Sequence, residues 1–196
     1  MDKLSYAWGL AMGSQLKAMG VKELDVTSFS DAVKAAFNDE ETAITPEEAQ
    51  KIINEYLTEL QEKATKMARE AGEKFLNENK GKENVQVTSS GLQYIVEKEG
   101  EGAQPSAEDE VTVHYTGKLL DGTVFDSSVN RGEPATFPLN RVIPGWTEGL
   151  QLMKEGGKTV FFIPSDLAYG AQGVPNAIPP HSVLIFEVEL IKVNKK

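Results

Sequence analysis

Proline and glycine are unevenly distributed along this 196-residue chain, and their distribution limits how the chain can fold. Eight of the nine prolines and 12 of the 17 glycines come after residue 85. Because both residues break helices and form turns, the pattern predicts long helices before residue 85 and strands with loops after it. The polar, turn-rich segment 79–91 places a domain boundary near Asn84, which gives predicted domains of 1–84 and 85–196.

Charge and composition exclude several classes of function. The net charge is −10, and it is shared evenly: residues 1–84 carry 16 acids and 11 bases, and residues 85–196 carry 14 and 9. Binding to nucleic acid needs clustered Lys and Arg, so no nucleic-acid partner is expected. The chain has no cysteine and only two histidines, which excludes disulfides and thiol chemistry and leaves little for a metal site or a Ser-His-Asp triad. No metal and no cofactor are predicted.

No apolar run in the sequence reaches the roughly 20 residues that a membrane span needs, so none is predicted. The first 13 residues have some apolar character, but serine and glycine interrupt them and no clean cleavage site follows. These residues are interpreted as a mature helix, which favours a cytoplasmic protein. If a leader had been removed, a periplasmic or outer-surface location would be the alternative.

Two short helices and one long helix are predicted in the N-terminal half. Residues 2–19 are apolar around much of a helix and therefore need more than one neighbour to bury them, and Gly20 ends this helix. The second helix is predicted from Ser28 or Ser30 to Phe37, with a serine as its N-cap.

The third helix has the clearest periodicity and is predicted over about 45–79. Thr45 is the expected N-cap, Pro46 takes the first helical position, and Glu48 completes a capping box. At 1.5 Å per residue the helix would be about 50 Å long, which the two short helices cannot cover. We therefore expect a homodimer formed through the N-terminal helices. The distal half, 64–75, is either a solvated spacer or a contact with another chain.

After Leu92 the apolar residues alternate as they do in half-buried strands. Six segments have this pattern: LQYIVEK, VTVHYTGKL, TVFDSS, ATFPL, KTVFFIP and VLIFEVELIKV. One short helical segment, residues 145–153, lies between them. Five or six antiparallel strands around one short helix, preceded by a helical domain, predict an α+β protein.

The landmarks of the C-terminal half occur in a specific order. VHYTGKLLDGTVFDSS is followed by VIPGWTEGLQLM, IPSDLAYG and IPPHSVLIFEVELIKV. Over residues 85–196 this order strongly resembles the FKBP family of peptidyl-prolyl cis/trans isomerases. The N-terminal half, from its DKLSYAWG start to its long third helix, resembles the helical dimerisation module of bacterial FKBPs of the macrophage infectivity potentiator type.

The residue types agree with such an isomerase. Rotation about an X–Pro bond crosses a barrier of about 18–20 kcal/mol because amide resonance is broken. The twisted amide is less polar than the planar one, so a dry aromatic cavity with one or two hydrogen bonds favours it, and no nucleophile is needed. The C-terminal half offers aromatic and aliphatic residues and no covalent machinery.

The resemblance implies specific pocket residues. Those expected to carry catalysis are Tyr115, Phe125, Asp126, Tyr169 and Phe186. Those expected to bind substrate are Arg131, Phe137, Val142, Ile143, Trp146 and Ile178. In the family an isoleucine N–H and the late tyrosine hydroxyl bond to ligand carbonyls, the indole forms the pocket floor, and the arginine holds the aspartate and the first tyrosine.

The sequence also departs from the family pattern. Ala135 and Phe137 compete for one aromatic pocket position across a spacing change. Val174 and Ala177 stand where some members carry bulkier groups, which affects macrolide affinity and the preferred residue before proline. His114 and His181 are interpreted as structural.

The predicted function is a dimeric prolyl isomerase that acts on proline-containing unfolded or partly folded proteins and has chaperone activity. FK506 and rapamycin are possible macrolide ligands. The main alternative is a binding module that holds peptides but turns them over poorly. A hydrolase or metal-dependent enzyme is disfavoured because the sequence lacks a nucleophile, a base and clustered ligands.

Overall fold

A computed structural model of the chain describes residues 1–175 and 177–195. The chain divides into two compact units, residues 1–62 and residues 63 onward. The first contains α1 (Lys3–Ala18), α2 (Val26–Phe37) and the beginning of α3 (Pro46–Asn79). The second contains the rest of α3 and the whole sheet. This division assigns the end of α3 to the sheet unit, whereas the boundary near residue 84 remains a prediction.

Carboxylate and hydroxyl caps start the N-terminal helices. The Asp2 carboxylate accepts the Ser5 N–H at 2.7 Å at the start of α1, and Gly20 follows that helix at a φ of +90°, as predicted. The predicted serine cap of α2 is wrong. Asp25 is the cap and accepts the Ser28 N–H at 2.8 Å, so α2 begins earlier than the sequence suggested.

The long helix α3 has the predicted bounds. Thr45 Oγ1 accepts the Glu48 N–H at 3.2 Å, and Pro46 is the first helical residue. The helix then runs for 34 residues without a break. At 1.5 Å per residue this corresponds to about 51 Å.

The first unit buries almost nothing by itself. None of its 62 residues, all of which the structure describes, is buried. Its large apolar side chains are instead exposed, including Leu4, Trp8, Leu10, Phe37 and Ile52. Such a surface is far more apolar than water-facing helices normally present.

The distal part of α3 belongs to the second unit and packs on its sheet. Gly72 and Asn79 are buried, and the Phe75 ring lies 5.6 Å from the Phe162 ring between centroids. Asn79 Nδ2 donates to Gln93 Oε1 at 2.9 Å. The two predictions for residues 64–75, a solvated spacer or a contact with another chain, are therefore wrong from Gly72 onward, because this face is covered by the chain's own sheet unit.

Among its described residues, the second unit is built on an antiparallel sheet of seven strands. These are β1 (Gln86–Val87), β2 (Gln93–Lys98), β3 (Glu110–Lys118), β4 (Val124–Ser127), β5 (Ala135–Pro138), β6 (Lys158–Ile163) and β7 (Leu184–Asn194). The order is β1-β2-β6-β7-β3-β4, and β5 pairs with the free part of β3 next to β4. The described part of the unit also contains the short helices α4 (Ser128–Arg131) and α5 (Pro144–Leu150) and two 3-10 turns, Leu139–Arg141 and Ser165–Leu167. The α+β prediction is confirmed, although the two-residue β1 was too short to be seen in the sequence.

The central strand β3 shows how alternation creates the core. Val111, Val113, Tyr115 and Gly117 are buried on one face, while His114 lies on the other. Helix α5 covers the buried face with Trp146 and Leu150. Tyr115 lies in the part of the core next to α5, because its ring contacts Trp146 of that helix.

We predict that Gly72→Ala destabilises the second unit even though alanine favours helix by about 1 kcal/mol. A Cβ at this position would lie 2.8 Å from Val183 Cγ2, and Val183 is buried and has a short side chain that cannot swing away. Overpacking of this kind costs about 1–3 kcal/mol. Hydrogen exchange of the β3 amides measures the resulting free energy of unfolding.

The matched control is the same substitution in a Val183→Ala background. There the clash is absent, so Gly72→Ala should become neutral or stabilising. If Gly72→Ala stabilises the protein with Val183 intact, the close contact is not what requires glycine at this position.

Candidate active site

A cavity of about 660 Å³ opens at the end of the core beside α5. Nine of the 11 predicted site residues line it: Tyr115, Phe125, Asp126, Phe137, Val142, Ile143, Trp146, Tyr169 and Phe186. Among the described residues, Arg141, Val174 and Ala177 also line it. The volume and the mainly apolar walls suit a small-molecule or peptide site.

The Trp146 side chain is packed by aromatic rings on several sides. Its ring centroid lies 5.0 Å from Tyr115, 5.7 Å from Phe137 and 5.2 Å from Phe186, with interplanar angles of 79–89°. Edge-to-face packing of this kind is the preferred geometry of aromatic pairs. The indole is buried, and its Nε1 has no hydrogen-bond partner among the described residues. The rings therefore hold a large apolar surface in a fixed orientation.

Two glycines bring α5 close enough to the sheet to place this indole. A Cβ at Gly145 would lie 2.4 Å from Ile163 Cγ2, and one at Gly149 would lie 2.7 Å from Phe161 Cε1. Pro144, at the first helical position, has no N–H that would be left unpaired there. The local sequence PGWTEGL thus encodes both the helix and its close approach to β6.

The backbone of Tyr115 is fixed by a buried hydroxyl. Ser128 Oγ accepts the Tyr115 N–H at 2.8 Å and also lies 3.1 Å from His114 Nδ1. Ser128 is the first residue of α4, whose N-cap is Ser127. Helix α4 directly follows β4, which carries Asp126 and pairs with β3. Ser128 therefore connects the position of Tyr115 on β3 to that of Asp126 on β4.

Asp126 is held between a phenol and a guanidinium. Tyr115 Oη donates to Asp126 Oδ2, Arg131 Nη1 donates to Oδ1, and Arg131 Nη2 donates to Tyr115 Oη at 3.1 Å. Arg131 does not line the cavity, and its contacts are those of the predicted holding role. All three groups belong to one closed hydrogen-bond network.

This network sets the protonation of both acids. Burial by itself would raise the pKa of Asp126, but hydrogen bonds from Tyr115 and Arg131 outweigh it and hold that pKa below the ordinary value. Burial, aided by the hydrogen bond to Asp126, raises the pKa of Tyr115. Near neutral pH the carboxylate is therefore ionised and the phenol protonated, and neither group is poised to exchange a proton with a bound molecule.

Phe125 and Phe186 close another side of the cavity. Their centroids lie 5.5 Å apart at 84°, and both rings stand over Gly117 of β3, where any Cβ would come within 2.7 Å of them. Glycine is needed at position 117 because the two rings leave no room for a side chain, and not because of its backbone freedom. The rings fill the gap that the absent side chain leaves.

The Ile143 N–H and the Tyr169 hydroxyl, which belong to residues of the cavity lining, are available to a ligand. Neither the Ile143 N–H nor the Tyr169 hydroxyl has a partner among residues 1–175 and 177–195. The N–H of the other predicted isoleucine, Ile178, donates to Val174 O at 2.9 Å. Ile178 is buried and does not line the cavity, so its contacts are those of a residue that shapes the loop.

Tyr169, Val174 and Ala177 line the cavity from the segments 168–175 and 177–181. His181 adopts a φ of +57° and donates its N–H to Gly170 O at 2.8 Å, which closes the loop. Asn176 lies outside the described residues.

Of the two residues considered for the aromatic pocket position, Ala135 and Phe137, only Phe137 is among the described lining residues. Phe137 lines the cavity and its ring is 6.1 Å from Tyr115, while Ala135 packs against the core. Arg141 is the lining residue that sequence reasoning missed entirely. Its position directly before Val142 and Ile143 was the available signal.

The described residues contain no group of three or more His, Cys, Asp or Glu side chains that could hold a metal ion. Among these residues there is also no helix that is long and apolar enough to cross a membrane. The described lining residues offer apolar contact, the ionised Asp126 carboxylate, the Arg141 guanidinium and hydrogen-bond donors such as the Ile143 N–H and the Tyr169 hydroxyl.

Comparison with protein families gives two matches that together span nearly the whole chain. Residues 101–191 match the FKBP-type peptidyl-prolyl cis-trans isomerase family, and residues 1–96 match the domain amino terminal to FKBP-type peptidyl-prolyl isomerase. The second match runs past the end of α3 and past the boundary between the two compact units.

Individual relatives agree. The chain is 48% identical over 202 residues to a probable FKBP-type isomerase FkpA of Neisseria meningitidis serogroup B, covering 98% of this chain and 74% of that protein. It is 46% identical to the FKBP-type 22 kDa isomerase of Escherichia coli, covering 96% and 93%. It is 40% identical to the outer membrane protein MIP of Legionella longbeachae, covering 99% and 86%.

A solved structure supports the same conclusion for the fold. The crystal structure of FkpA from Escherichia coli matches with a TM-score of 0.79 at 36% identity, covering 98% of this chain and 95% of that one. The family and isomerase predictions are confirmed. The chain belongs to the FKBP-type peptidyl-prolyl cis-trans isomerases, in the branch that carries an N-terminal helical domain.

Proposed function

We propose that this isomerase rotates X–Pro bonds in the cavity over Trp146, and that the apolar aromatic walls supply most of the rate acceleration. The observation that carries the proposal is the ring cluster of Tyr115, Phe137, Trp146 and Phe186, which lines a site next to a single ionised carboxylate. The substrates are proline-containing segments of unfolded or partly folded proteins.

The proposed mechanism is preferential binding of the twisted amide. A planar X–Pro amide is polar and loses hydration when it enters an apolar cavity, whereas the twisted amide has less resonance and loses less. The indole plane of Trp146 offers a surface for the proline ring. No bond to the enzyme forms and no proton moves, in keeping with the protonation states of Asp126 and Tyr115.

Hydrogen bonds then orient the substrate. We assign the Ile143 N–H and the Tyr169 hydroxyl to substrate carbonyls because both belong to residues that line the cavity and neither has a partner among the described residues. Asp126 contributes a fixed negative charge whose position Tyr115 and Arg131 set. Charge placed in advance of the reaction needs no reorganisation when the amide twists.

The direct test measures exchange between the cis and trans forms of a Leu-Pro peptide by NMR, with the full chain present at catalytic concentration. We expect acceleration over the uncatalysed rate, suppressed by stoichiometric rapamycin, with a change in tryptophan fluorescence on drug binding. No acceleration by a folded protein that still binds rapamycin would overturn the proposal in favour of the binding module.

The Tyr169 hydroxyl can be tested separately. Loss of one hydrogen bond is worth about 0.5–1.5 kcal/mol, so Tyr169→Phe should lower kcat/KM by roughly 2- to 12-fold. Tyr94→Phe is the matched control, because the Tyr94 hydroxyl bonds to Gln86 and does not line the cavity. Equal activities for the two variants would remove Tyr169 from the substrate contacts.

The pKa of Asp126 predicts a pH dependence. A carboxylate with a lowered pKa stabilises the fold above its unfolded pKa of about 3.9, and this stabilisation is lost as the pH falls through the lower folded value. The same carboxylate stays ionised from pH 8 down to pH 5, so its titration should not change kcat/KM in that range. We expect kcat/KM to fall only below about pH 4, where Asp126 begins to be protonated.

Asp126→Asn should lower kcat/KM throughout this pH range. Its pH profile should also lack the fall below about pH 4 that protonation of Asp126 causes in the wild type. Far-UV circular dichroism at each pH separates loss of activity from loss of fold. An activity that titrates with Asp126 near neutral pH would contradict the fixed-charge role.

A homodimer formed by residues 1–62 is the second part of the proposal. It is supported by the absence of any buried residue in this unit and by the exposure of Trp8 and Phe37, which are 65% and 87% accessible. Two isomerase units on one dimer raise the effective concentration of sites for a long client chain, which would favour chaperone activity.

Sedimentation equilibrium should give twice the chain mass of 21.4 kDa. Trp8→Glu should shift the equilibrium to monomer. Met67→Glu is the matched control, because Met67 is exposed to a similar degree (62%) but lies in the other unit. A wild-type mass of 21.4 kDa, or equal effects of the two variants, would contradict this interface.

The cellular location is also a proposal. The cytoplasmic prediction finds no support among the relatives, one of which is named an outer membrane protein. We favour the exported alternative, periplasmic or at the outer surface.

A further inference from the structure

The Arg141 guanidinium belongs to the cavity lining and lacks a counter-ion in the part of the chain that the structure describes. Asp126 is already paired with Arg131, which does not line the cavity. Arg141 also lines the cavity, and among the described residues its guanidinium makes no ion pair and no side-chain hydrogen bond. A bound substrate therefore meets a positive charge that no described residue pairs.

The backbone that carries Arg141 is firmly held. The 3-10 turn Leu139–Arg141 is anchored by the fully buried Leu139, whose N–H donates to Asp109 O at 2.9 Å and whose carbonyl accepts Thr147 Oγ1 at 2.7 Å. The nearby acid Glu108 accepts a hydrogen bond from Asn140 Nδ2 at 3.0 Å. Glu108 is thus engaged by the residue next to Arg141 and not by Arg141 itself.

Arg141 is also close along the chain to an assigned substrate contact. The N–H of Ile143 lies two residues further on, which corresponds to about 7 Å of backbone at 3.8 Å between neighbouring Cα atoms. An arginine side chain has a similar reach. A carboxylate on a substrate residue next to the proline can therefore meet the guanidinium while the proline occupies the cavity.

We infer that Arg141 is a specificity-determining residue that favours prolyl segments with Glu or Asp next to the proline. This inference rests on the proposed function, because it needs the prolyl bond in this cavity. The chain has a net charge of −10, which by itself repels acidic clients. The positive charge of Arg141 offsets this repulsion locally and so favours acidic segments at the cavity. An arginine pairs with a carboxylate through two parallel hydrogen bonds, which lysine cannot reproduce.

The test compares kcat/KM by exchange NMR for peptides with Glu, Gln or Leu directly before or directly after the proline. The readout is the Glu/Gln ratio at each position, for the wild type, Arg141→Gln, Arg141→Lys and Lys192→Gln. Lys192→Gln is the charge-matched control, since Lys192 is exposed on β7 and does not line the cavity. Leu-Pro turnover by the wild type tests the proposed function independently.

An exposed ion pair is worth about 0.2–1 kcal/mol, so the Glu/Gln ratio should fall by roughly 1.4- to 5-fold in Arg141→Gln at one of the two positions. Arg141→Lys should restore part of it, and 0.5 M salt should reduce the wild-type ratio, because screening shortens the range of the charge. Lys192→Gln should leave the ratio unchanged. If Arg141→Gln alters the ratio at neither position, or no more than Lys192→Gln does, the inference is wrong even where Leu-Pro turnover is normal.

Discussion

The edge-to-face packing of aromatic rings around Trp146 is the interaction on which the rest of the site depends. The indole is buried against Tyr115, Phe137 and Phe186, which belong to three different strands. It can lie there only because Gly145 and Gly149 allow α5 to approach β6 closely. The close packing of one short helix on the sheet thus produces a rigid, dry surface large enough for a proline ring.

Charge enters this apolar site in a controlled way. Asp126 would be costly to bury alone, and Tyr115 and Arg131 offset that cost by bonding to its two carboxylate oxygens. Ser128 at the start of α4 fixes the backbone of Tyr115 and so links this network to the floor of the cavity. Because Asp126 is already paired with Arg131, we assign substrate recognition by charge to Arg141. Catalysis and selectivity are therefore assigned to different polar groups around one apolar surface.

Much of this arrangement could be predicted from the sequence, because short-range patterns determine it. Strand alternation puts Tyr115 inward and His114 outward, and the Thr45–Pro46 start of α3 follows from capping chemistry alone. The site residues, in contrast, were predicted from the resemblance to the FKBP family, which the ordered motifs of the C-terminal half carry, and nine of the 11 line one cavity.

The predictions that were wrong concern choices that local pattern does not decide. Asp25 and Ser28 are both good caps, and only the structure shows which one accepts the N–H. The distal face of α3 was uncertain because a thin stripe of small residues suits solvent, a second chain or the chain's own sheet. Gly72, an unfavourable residue in the middle of a helix, was the overlooked sign of a close contact. Arg141 was missed because a lone arginine on a turn has no distinctive spacing.

The central claim, that prolyl bonds turn over on the Trp146 surface, can be tested by looking for the contact itself. Intermolecular nuclear Overhauser effects can be recorded between a Leu-Pro peptide in exchange and the full-length protein with labelled aromatic rings. The account predicts cross-peaks from the proline ring protons to the rings of Trp146 and Phe186, and their loss when rapamycin is added. Cross-peaks confined to aromatic residues outside the cavity, such as Trp8 or Tyr94, would contradict it.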